Sequence, residues 1–146
     1  MKSMNEPLTK REVEYLLSVE LLTQDAWPAR ITDIAKSLGV KTPSAVELVN
    51  GLIAKKLLQR GPSGIRLTGL GARELQGMHR SHRLLESMLL RIGMKPAEAC
   101  TESRRIDLYS SKELLRAICK YLGHPVSCPH KMQITPDPGC CPERLS

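Results

Sequence analysis

The stretch of sequence that decides the fold is residues 31–68, ITDIAKSLGVKTPSAVELVNGLIAKKLLQRGPSGIRLT. Its first half has apolar residues at helical spacing on both sides of Gly39, and this glycine stands where a helix end requires a left-handed residue. Thr42 and Pro43 then offer an N-cap and a proline at the first helical position, which predicts a second helix to about residue 57. The apolar residues at core spacing on this second helix are Val46, Val49, Leu52 and Ile53. Two helices joined by so short a turn are typical of a helix-turn-helix.

A β-hairpin is predicted directly after these two helices. Short alternating runs at 57–60 and 65–68 flank the sequence GPSG at 61–64, which is typical of a tight turn. Arg60 and Arg66 lie near its tip, where their guanidinium groups could reach phosphates beside a DNA groove. The helices and the basic hairpin together predict a winged helix-turn-helix.

The outward face of the second of these helices is the predicted recognition surface. Ser44, Glu47 and Asn50 on this face are small or polar, and such residues can approach base edges in a major groove. Residues 28–66 hold seven basic and two acidic residues in a chain of net charge +7, which suits a polyanionic partner such as double-stranded DNA. The predicted DNA-binding residues are Arg30, Lys41, Thr42, Pro43, Ser44, Glu47, Asn50, Arg60 and Arg66.

The rest of the chain is predicted to be helical up to a tail rich in Cys and Pro. Periodicity and capping residues indicate one helix over about 10–23, before the helix-turn-helix, and three after it, over about 69–92, 96–107 and 111–122. These three helices contain too little chain for a large independent core. Burial against a second copy, in a homodimer, is therefore expected.

Composition excludes several classes of protein. The chain is 41% hydrophobic and 25% charged, and no apolar run approaches the roughly 18 residues that a membrane-spanning helix needs. The first ten residues lack the apolar region of a signal peptide, so a cytoplasmic location without a membrane partner is expected. The sequence has no nucleophile, phosphate-binding or dinucleotide-binding motif, so we expect neither an enzyme nor a small-molecule substrate.

A first group of candidate metal ligands lies on predicted helices. His82 and Glu86 are four residues apart and therefore share one helix face, where they could bind one ion. The same spacing is common on solvated helices. Glu14 on the first helix and Asp107 at the end of the fifth are further carboxylates on elements that could pack nearby.

A second group lies in the tail. Cys128 and His130 place a thiolate and an imidazole two residues apart, with Cys140 and Cys141 downstream. Such donors favour Zn(II) or Fe(II) over Mg(II) or Ca(II). The spacing is not that of a zinc finger, so unliganded thiols are an alternative.

The five cysteines leave two other functions open. A winged-helix protein could use Cys128, Cys140 and Cys141 to sense oxidation or to hold an iron-sulfur cluster, or it could bind DNA with inert thiols. Cys119 fits the apolar face of its helix and is expected to be a packed core thiol, whereas Cys100 is an additional candidate for metal or redox chemistry.

Several of these motifs, in this order, resemble the diphtheria toxin repressor family of metal-dependent transcription regulators, in its short form without the C-terminal SH3-like domain. They span about residues 9–135. The motifs are IAKSLGV at 34–40, PSAVE at 43–47, RLT at 66–68, HRLLE at 82–86 and LGHPVSCPH at 122–130.

The resemblance implies a homodimeric transcriptional repressor that binds a palindromic operator, with iron, manganese or zinc as corepressor. Glu14, His82 and Glu86 match ligand positions on the first and fourth helices, and Cys128 and His130 match second-site ligands of members with a Cys-Pro-His motif. The implied architecture is mainly α. The domains are a winged helix-turn-helix DNA-binding domain at 1–72, a helical metal-binding and dimerisation domain at 73–126 and a Cys/Pro-rich tail at 127–146.

The fifth helix departs from the family pattern. Members usually present a Cys or Glu there, followed by Glu-His three and four residues later, whereas this chain has Ser103, Ile106 and Asp107. Asp107 is the main candidate ligand that remains on this helix, and Cys100 is a weaker one. Because the usual ligands are replaced, the metal preference of the family is not assumed for this chain. A site of Glu86, Cys128 and His130, completed by Cys140 or Cys141, is better supported by residue type. We expect Fe(II), with Zn(II) or Mn(II) as alternatives.

Overall fold

Residues 7–25 and 28–141 of this computed structural model are described here, and within them the chain forms six α-helices and one β-hairpin. The elements, in chain order, are α1 (Lys10–Leu22), α2 (Ile31–Leu38), α3 (Thr42–Ala54), β1 (Leu58–Gly61), β2 (Gly64–Leu67), α4 (Gly69–Arg91), α5 (Pro96–Ile106), a short 3-10 turn (Asp107–Tyr109) and α6 (Lys112–Tyr121). The chain divides between Leu75 and Gln76 into two compact units. No helix in the described ranges is long and apolar enough to cross a membrane.

A capping box begins α1. The Thr9 hydroxyl accepts a hydrogen bond from the Glu12 backbone N–H at 3.2 Å, and the Glu12 carboxylate accepts one from the Thr9 N–H at 2.9 Å. The other oxygen of Glu12 accepts a hydrogen bond from Lys55 Nζ, just after α3, at 2.6 Å. Burial alone would raise the pKa of Glu12, but Lys55 and Thr9 together hold it below its usual value. This ion pair fastens the start of α1 to the end of α3.

The helix-turn-helix prediction is confirmed by α2 and α3. Gly39 ends α2 with φ of 63°, a left-handed conformation that glycine adopts without strain, and α3 begins after only two further residues. Ile34, Val49 and Leu52 are fully buried in the core of the first unit. The two helices are held in place by this apolar contact.

The predicted wing is the antiparallel pair β1 and β2. Ala29, before α2, exchanges two backbone hydrogen bonds of 2.8 and 2.9 Å with Ile65 of β2, which ties the hairpin to the helices. Gly64 has φ of 139°, and a Cβ there would lie 2.7 Å from the Ala29 carbonyl oxygen. A glycine is therefore required at Gly64 by both conformation and space.

Helix α4 begins against the wing. Its first turn is capped by Thr68, whose hydroxyl accepts from the Gly71 N–H at 3.0 Å. A Cβ at Gly71 would overlap the carbonyl oxygen of Leu57, whereas Gly77 on the same helix has open space around it. Farther along the helix, Leu75 is fully buried in the core of the first unit.

The second unit contains the remainder of α4, α5, α6 and the segment that follows α6. Its buried core is small and comprises Leu84, Leu85, Ile118, Cys119, Cys128, Ile134 and Cys141. The last three of these belong to the segment after α6. The Arg80 guanidinium also donates to the Thr135 carbonyl oxygen at 2.6 Å. The described part of the predicted tail is thus packed into the second unit, and the unit boundary lies three residues after the predicted one at 72.

Candidate metal centre and DNA interface

Glu86 is the centre of one cluster of donor atoms. Its side chain projects from α4 and is only 2% exposed. One Glu86 carboxylate oxygen, the Cys128 sulfur and one His130 ring nitrogen all lie within 4.8 Å of one another. His130 Nδ1 is 2.6 Å from Glu86 Oε1, while the His130 side chain is 55% exposed. The structure therefore brings together three of the residues that the sequence indicated as metal ligands.

A tight turn presents Cys128 and His130 to α4. The Cys128 N–H donates to the Met132 carbonyl oxygen at 2.9 Å, and the Lys131 N–H donates back to Cys128 at 2.8 Å. Lys131 has φ of 60°, an uncommon conformation for a residue other than glycine. The Cys128 side chain points inward and is buried, whereas His130 stays at the surface. This half-open arrangement leaves solvent access to the cluster.

The Glu86 carboxylate fits a bound cation. Glu86 Oε1 is fully buried and accepts no hydrogen bond from the described residues, and the His130 ring 2.6 Å away compensates its charge only when the ring is protonated. A buried carboxylate without compensating donors is costly, and a divalent cation would offset that cost. Carboxylate, thiolate and imidazole together are a ligand set that Fe(II) and Zn(II) accept. The residues present therefore fit a divalent transition metal.

His82 connects Glu86 to the end of α5. Its Nδ1 atom lies 3.4 Å from an Asp107 carboxylate oxygen, and its Nε2 atom lies 3.8 Å from Glu86 Oε2 and 3.8 Å from the Cys100 sulfur. A carboxylate on one imidazole nitrogen orients the ring and fixes which nitrogen is available to a ligand. Asp107 is thus placed to position His82. The described part of the chain contains two compact groups of donor atoms, and neither of them includes His82, Asp107 or Cys100.

Two other positions from the sequence prediction lie outside the donor groups. Glu14 is exposed on α1 and belongs to the first unit. Ser103, at the altered position of α5, is fully buried, and its hydroxyl donates to the Ala99 carbonyl oxygen at 2.6 Å. Ser103 is satisfied within its own helix, and its position supplies no free donor atom to a metal.

Cys140 and Cys141 form the second donor group instead of completing the first. They lie with Cys119 and His124, and one donor atom of each residue falls within 4.8 Å of the others. Sequence reasoning assigned Cys119 to the apolar core and did not consider His124 a ligand. Cys119 is indeed fully buried in the core, but its sulfur lies 3.5 Å from both His124 Nδ1 and the Cys141 sulfur. The Cys-x4-His spacing across the end of α6 is the signal that could have revealed this group.

The two neighbouring cysteines differ in acidity. Burial, together with contacts with Cys119 and Cys141, raises the pKa of Cys140 to about 11. Burial also opposes ionisation of Cys141, but contacts with Cys119, His124 and the Asp137 backbone outweigh it and lower its pKa to about 7. Cys141 is therefore the more readily ionised thiol of the pair.

The predicted DNA-facing residues lie on the exposed side of α3 and on the wing. Ser44, Glu47 and Asn50 are exposed, and Arg60 donates a hydrogen bond to the Asn50 side-chain oxygen at 3.2 Å. Val46, which the periodicity placed in the core, is 36% exposed on this same face, because the small Ala45 fills the buried position. The other predicted positions, all of them exposed, are Arg30, Lys41, Thr42, Pro43 and Arg66.

Comparison with known proteins gives consistent results. Residues 68–136 match the family described as iron dependent repressor, metal binding and dimerisation domain. An uncharacterized HTH-type transcriptional regulator of Aeropyrum pernix is 30% identical over 129 residues, covering 86% of this chain and 72% of that protein. A hypothetical protein of Sulfolobus solfataricus has a similar structure, with a TM-score of 0.84, 32% identity and coverage of 88% of this chain and 100% of that one.

A second similar structure is the manganese-activated repressor ScaR in its apo form. Its TM-score is 0.76 at 26% identity, and the match covers 84% of this chain and 60% of ScaR.

The winged helix-turn-helix and the adjoining unit with clustered metal donors define a metal-dependent transcriptional regulator. The chain belongs to the diphtheria toxin repressor family of metal-dependent regulators. Family membership supports the metal-responsive interpretation over the redox alternative. Members of the family are regulators of transcription and not enzymes.

Proposed function

We propose that this protein is a homodimeric repressor, acting in the cytoplasm, that binds a palindromic DNA operator when a divalent transition metal is held by Glu86, Cys128 and His130. The observation that carries the proposal is the buried Glu86 carboxylate, whose Oε1 atom has no hydrogen-bond donor among the described residues and which faces a thiol and an imidazole. His82, which Asp107 orients, is the neighbouring donor that extends this site toward α5.

The residues of the site act by joining separate segments of the chain. A bound cation supplies positive charge that compensates the buried Glu86 carboxylate. Glu86 belongs to α4, and Cys128 and His130 belong to the turn after α6. A metal ion bound by all three residues therefore favours the arrangement in which these two segments meet. Because α4 contributes residues to both units, Leu75 to one and Glu86 to the other, its position can affect DNA binding. The gain in DNA affinity cannot exceed the difference in metal affinity between the two states.

We propose Fe(II) as the first candidate metal and Zn(II) as the second. A thiolate in the ligand set favours these borderline ions over Mn(II), which prefers oxygen ligands. The matched family is described as iron dependent, which supports this order. The relative ScaR is described as manganese-activated, and Mn(II) therefore belongs in every titration.

DNA contact is proposed for the exposed face of α3 and for the wing. Ser44, Glu47 and Asn50 face the bases, and the exposed methyl groups of Val46 suit contact with the methyl group of thymine. Arg60 holds Asn50 in place when DNA is absent, through their 3.2 Å hydrogen bond. The basic side chains around this face, together with the backbone N–H groups at the start of α3, suit phosphate groups.

The dimer is proposed to bury an exposed apolar stripe on α6. Leu114 and Tyr121 are seven residues apart on this helix and are 47% and 64% exposed, with the exposed Ala117 between them. Residues at this spacing share one helix face. A second copy of the chain would cover this stripe, as expected for two-fold pairing.

The proposal is tested by DNA binding under anaerobic conditions. A pool of random double-stranded DNA is selected with metal-loaded protein, and the affinity for the selected DNA is then measured at fixed salt with Fe(II), Zn(II) or Mn(II) and with EDTA. We expect Fe(II) to raise the affinity at least about tenfold, which corresponds to roughly 1.4 kcal/mol of coupling. Sedimentation of the same samples should give a dimer.

Cys128→Ser is the test variant, and Ser127→Ala is its matched control, since Ser127 is exposed next to Cys128 and pairs through its backbone with Gln133. We expect Cys128→Ser to lose the metal response and Ser127→Ala to keep it. A full metal response in Cys128→Ser would contradict the proposed site, and selection of no preferred DNA would contradict the proposed function.

A further inference from the structure

The group formed by Cys119, His124, Cys140 and Cys141 has the geometry of a closed metal site. His124 Nδ1 lies 3.5 Å from the Cys119 sulfur, 3.6 Å from that of Cys140 and 3.4 Å from that of Cys141, and the Cys119 and Cys141 sulfurs are 3.5 Å apart. All four donor atoms lie within 4.8 Å of one another. Three sulfurs thus surround a single ring nitrogen.

These separations match the edges of a tetrahedron around zinc. Bond lengths of about 2.3 Å to sulfur and about 2.0–2.1 Å to nitrogen place a sulfur and a nitrogen ligand about 3.6 Å apart, and two sulfurs about 3.8 Å apart. A disulfide is inconsistent with the geometry, because the Cys119 and Cys141 sulfurs are separated by 3.5 Å and a disulfide requires about 2.05 Å. The spacing is therefore that of ligands around a common centre.

The surrounding backbone holds the four donors in position. The Asp137 carbonyl oxygen accepts hydrogen bonds from both the Cys140 and Cys141 N–H groups, at 2.9 and 2.7 Å. The Asp137 carboxylate accepts from Arg116 Nε of α6 at 2.7 Å, which fixes this turn to the helix. His124 has φ of 55°, a conformation uncommon outside glycine, and its N–H donates to the Cys119 carbonyl oxygen at 2.8 Å. The fold thus keeps His124 in an uncommon backbone conformation, in which its ring faces the three sulfurs.

A metal bound to this group would stabilise the second unit, whose apolar core is small. Three of the seven buried residues in its core are cysteines, Cys119, Cys128 and Cys141, so the unit has little aliphatic core of its own. Small units with such cores commonly need a metal or another cross-link. The group joins the end of α6 to residues 140 and 141.

We propose that Cys119, His124, Cys140 and Cys141 form a structural Zn(II) site that fastens residues 140 and 141 to α6. On binding, Zn(II) forms bonds to three sulfurs and one nitrogen, and the thiol protons are released to solvent with no change of oxidation state. Four protein ligands leave no open position, which is typical of structural zinc, whereas the Glu86 group has three donors and an exposed histidine. The two sites therefore have different tasks.

The test uses the full chain and measures tightly held zinc. Glu86→Gln protein, in which the first site is disabled, is purified with zinc, dialysed against EDTA and analysed for metal content. We expect about one zinc per chain to remain, because thiolate-rich sites bind zinc tightly. Adding Cys140→Ser to this variant should weaken zinc binding by more than about 100-fold, since even residues beyond the ligands cost 10–100-fold. The matched control, Cys100→Ser in the same background, should keep its zinc.

A second measurement keeps the test valid even if the Cys140→Ser variant does not fold, because it uses protein in which all four proposed ligands are intact. Co(II) substituted into Glu86→Gln protein should give the intense thiolate charge-transfer absorption of a tetrahedral thiolate site. Loss of all zinc to EDTA, a cobalt spectrum without thiolate bands, or an iron-sulfur cluster with bound iron and sulfide would each overturn the proposal. The two proposals can fail independently. Zinc retained against EDTA would support this site, even if a DNA affinity unchanged by metal contradicted the proposed function.

Discussion

Replacement of Glu86 by Gln tests the functional metal site at its most buried residue. Glu86→Gln keeps the size of the side chain but removes its negative charge. Glu86 as a whole residue is 1% exposed, and its Oε1 atom has no hydrogen-bond donor among the described residues. Because Glu86→Gln also removes the ion pair with His130 Nδ1, 2.6 Å from Oε1, the readout is the change in Tm on adding metal and not the stability of the metal-free variant.

The expected size of the effect follows from binding linkage. A metal present at 100 times its Kd stabilises the folded state by about 2.7 kcal/mol if it does not bind the unfolded chain. For a chain of this length, about 2–4 °C of Tm accompanies each kcal/mol, so Fe(II) should raise the Tm of the wild type by roughly 5–11 °C. Glu86→Gln should lose most of this increase.

Anaerobic thermal unfolding, with Fe(II) titrated into EDTA-dialysed protein, provides the measurement. The tight zinc proposed at the cysteine cluster is present in both proteins and cancels in the comparison. Glu74→Gln is the matched control, because Glu74 is an exposed carboxylate on the same helix. An Fe(II) shift of equal size in Glu86→Gln and wild type would refute the assignment of Glu86 as a ligand.

Three further predictions concern α1, α4 and the wing. Glu12→Gln should lower the free energy of unfolding by about 0.5–1 kcal/mol at pH 7, since it removes the ion pair with Lys55 while the glutamine oxygen can still accept from the Thr9 N–H. Because the folded pKa of Glu12 is lowered, this stabilisation is complete above the unfolded pKa and is lost as pH falls through the folded value, so urea unfolding should show the difference shrinking in acid. Gly71→Ala should destabilise by about 1–3 kcal/mol through overlap with the preceding backbone, whereas Gly77→Ala should stabilise by about 0.5–1 kcal/mol, as measured by the same method. Arg60→Ala should weaken binding to all DNA sequences and reduce the salt dependence by about one phosphate contact, as measured by affinity over a range of salt concentrations.

Each of these predictions has a result that would contradict it. A pH-independent effect of Glu12→Gln would remove the role assigned to its ionised form. Equal effects at Gly71 and Gly77 would mean that the close approach near the start of α4 does not limit side-chain size. An unchanged salt dependence in Arg60→Ala, with altered sequence preference alone, would place Arg60 at a base and not at a phosphate.

The fold of the first unit was predictable because its signals are local. Gly39 and the turn at 61–64 act within a few residues, and the structure follows them. The predicted N-cap at Thr42 is wrong by one residue: Lys41 is the N-cap, without a side-chain cap hydrogen bond, and α3 already includes Thr42, because the first helical turn also admits Pro43 one position later. A second exception was Val46, where the periodicity favoured the larger apolar side chain. The contact between α2 and α3 instead buries Ala45, because close packing there admits a small residue.

The donor groups were harder to predict because they join distant residues. Glu86 and Cys128 could be paired because carboxylate and thiolate suit the same transition metals and because both positions match ligand positions of the family that the sequence resembles. Cys119 and Cys141 are 22 residues apart, and nothing in the helical pattern around Cys119 distinguishes a ligand from a core thiol. The pairing depends on the turn that Asp137 holds against α6, and such a contact has no local sequence signal.

The most direct test of metal-dependent repression is the affinity of the protein for Fe(II) measured with and without its selected DNA. Linkage requires that DNA tighten metal binding by the same factor by which metal tightens DNA binding. We predict that Fe(II) binds at least about tenfold more tightly to the DNA complex of the wild type, and with no such gain in Cys128→Ser. Equal Fe(II) affinity in free and DNA-bound wild-type protein would contradict the coupling on which the proposed function depends.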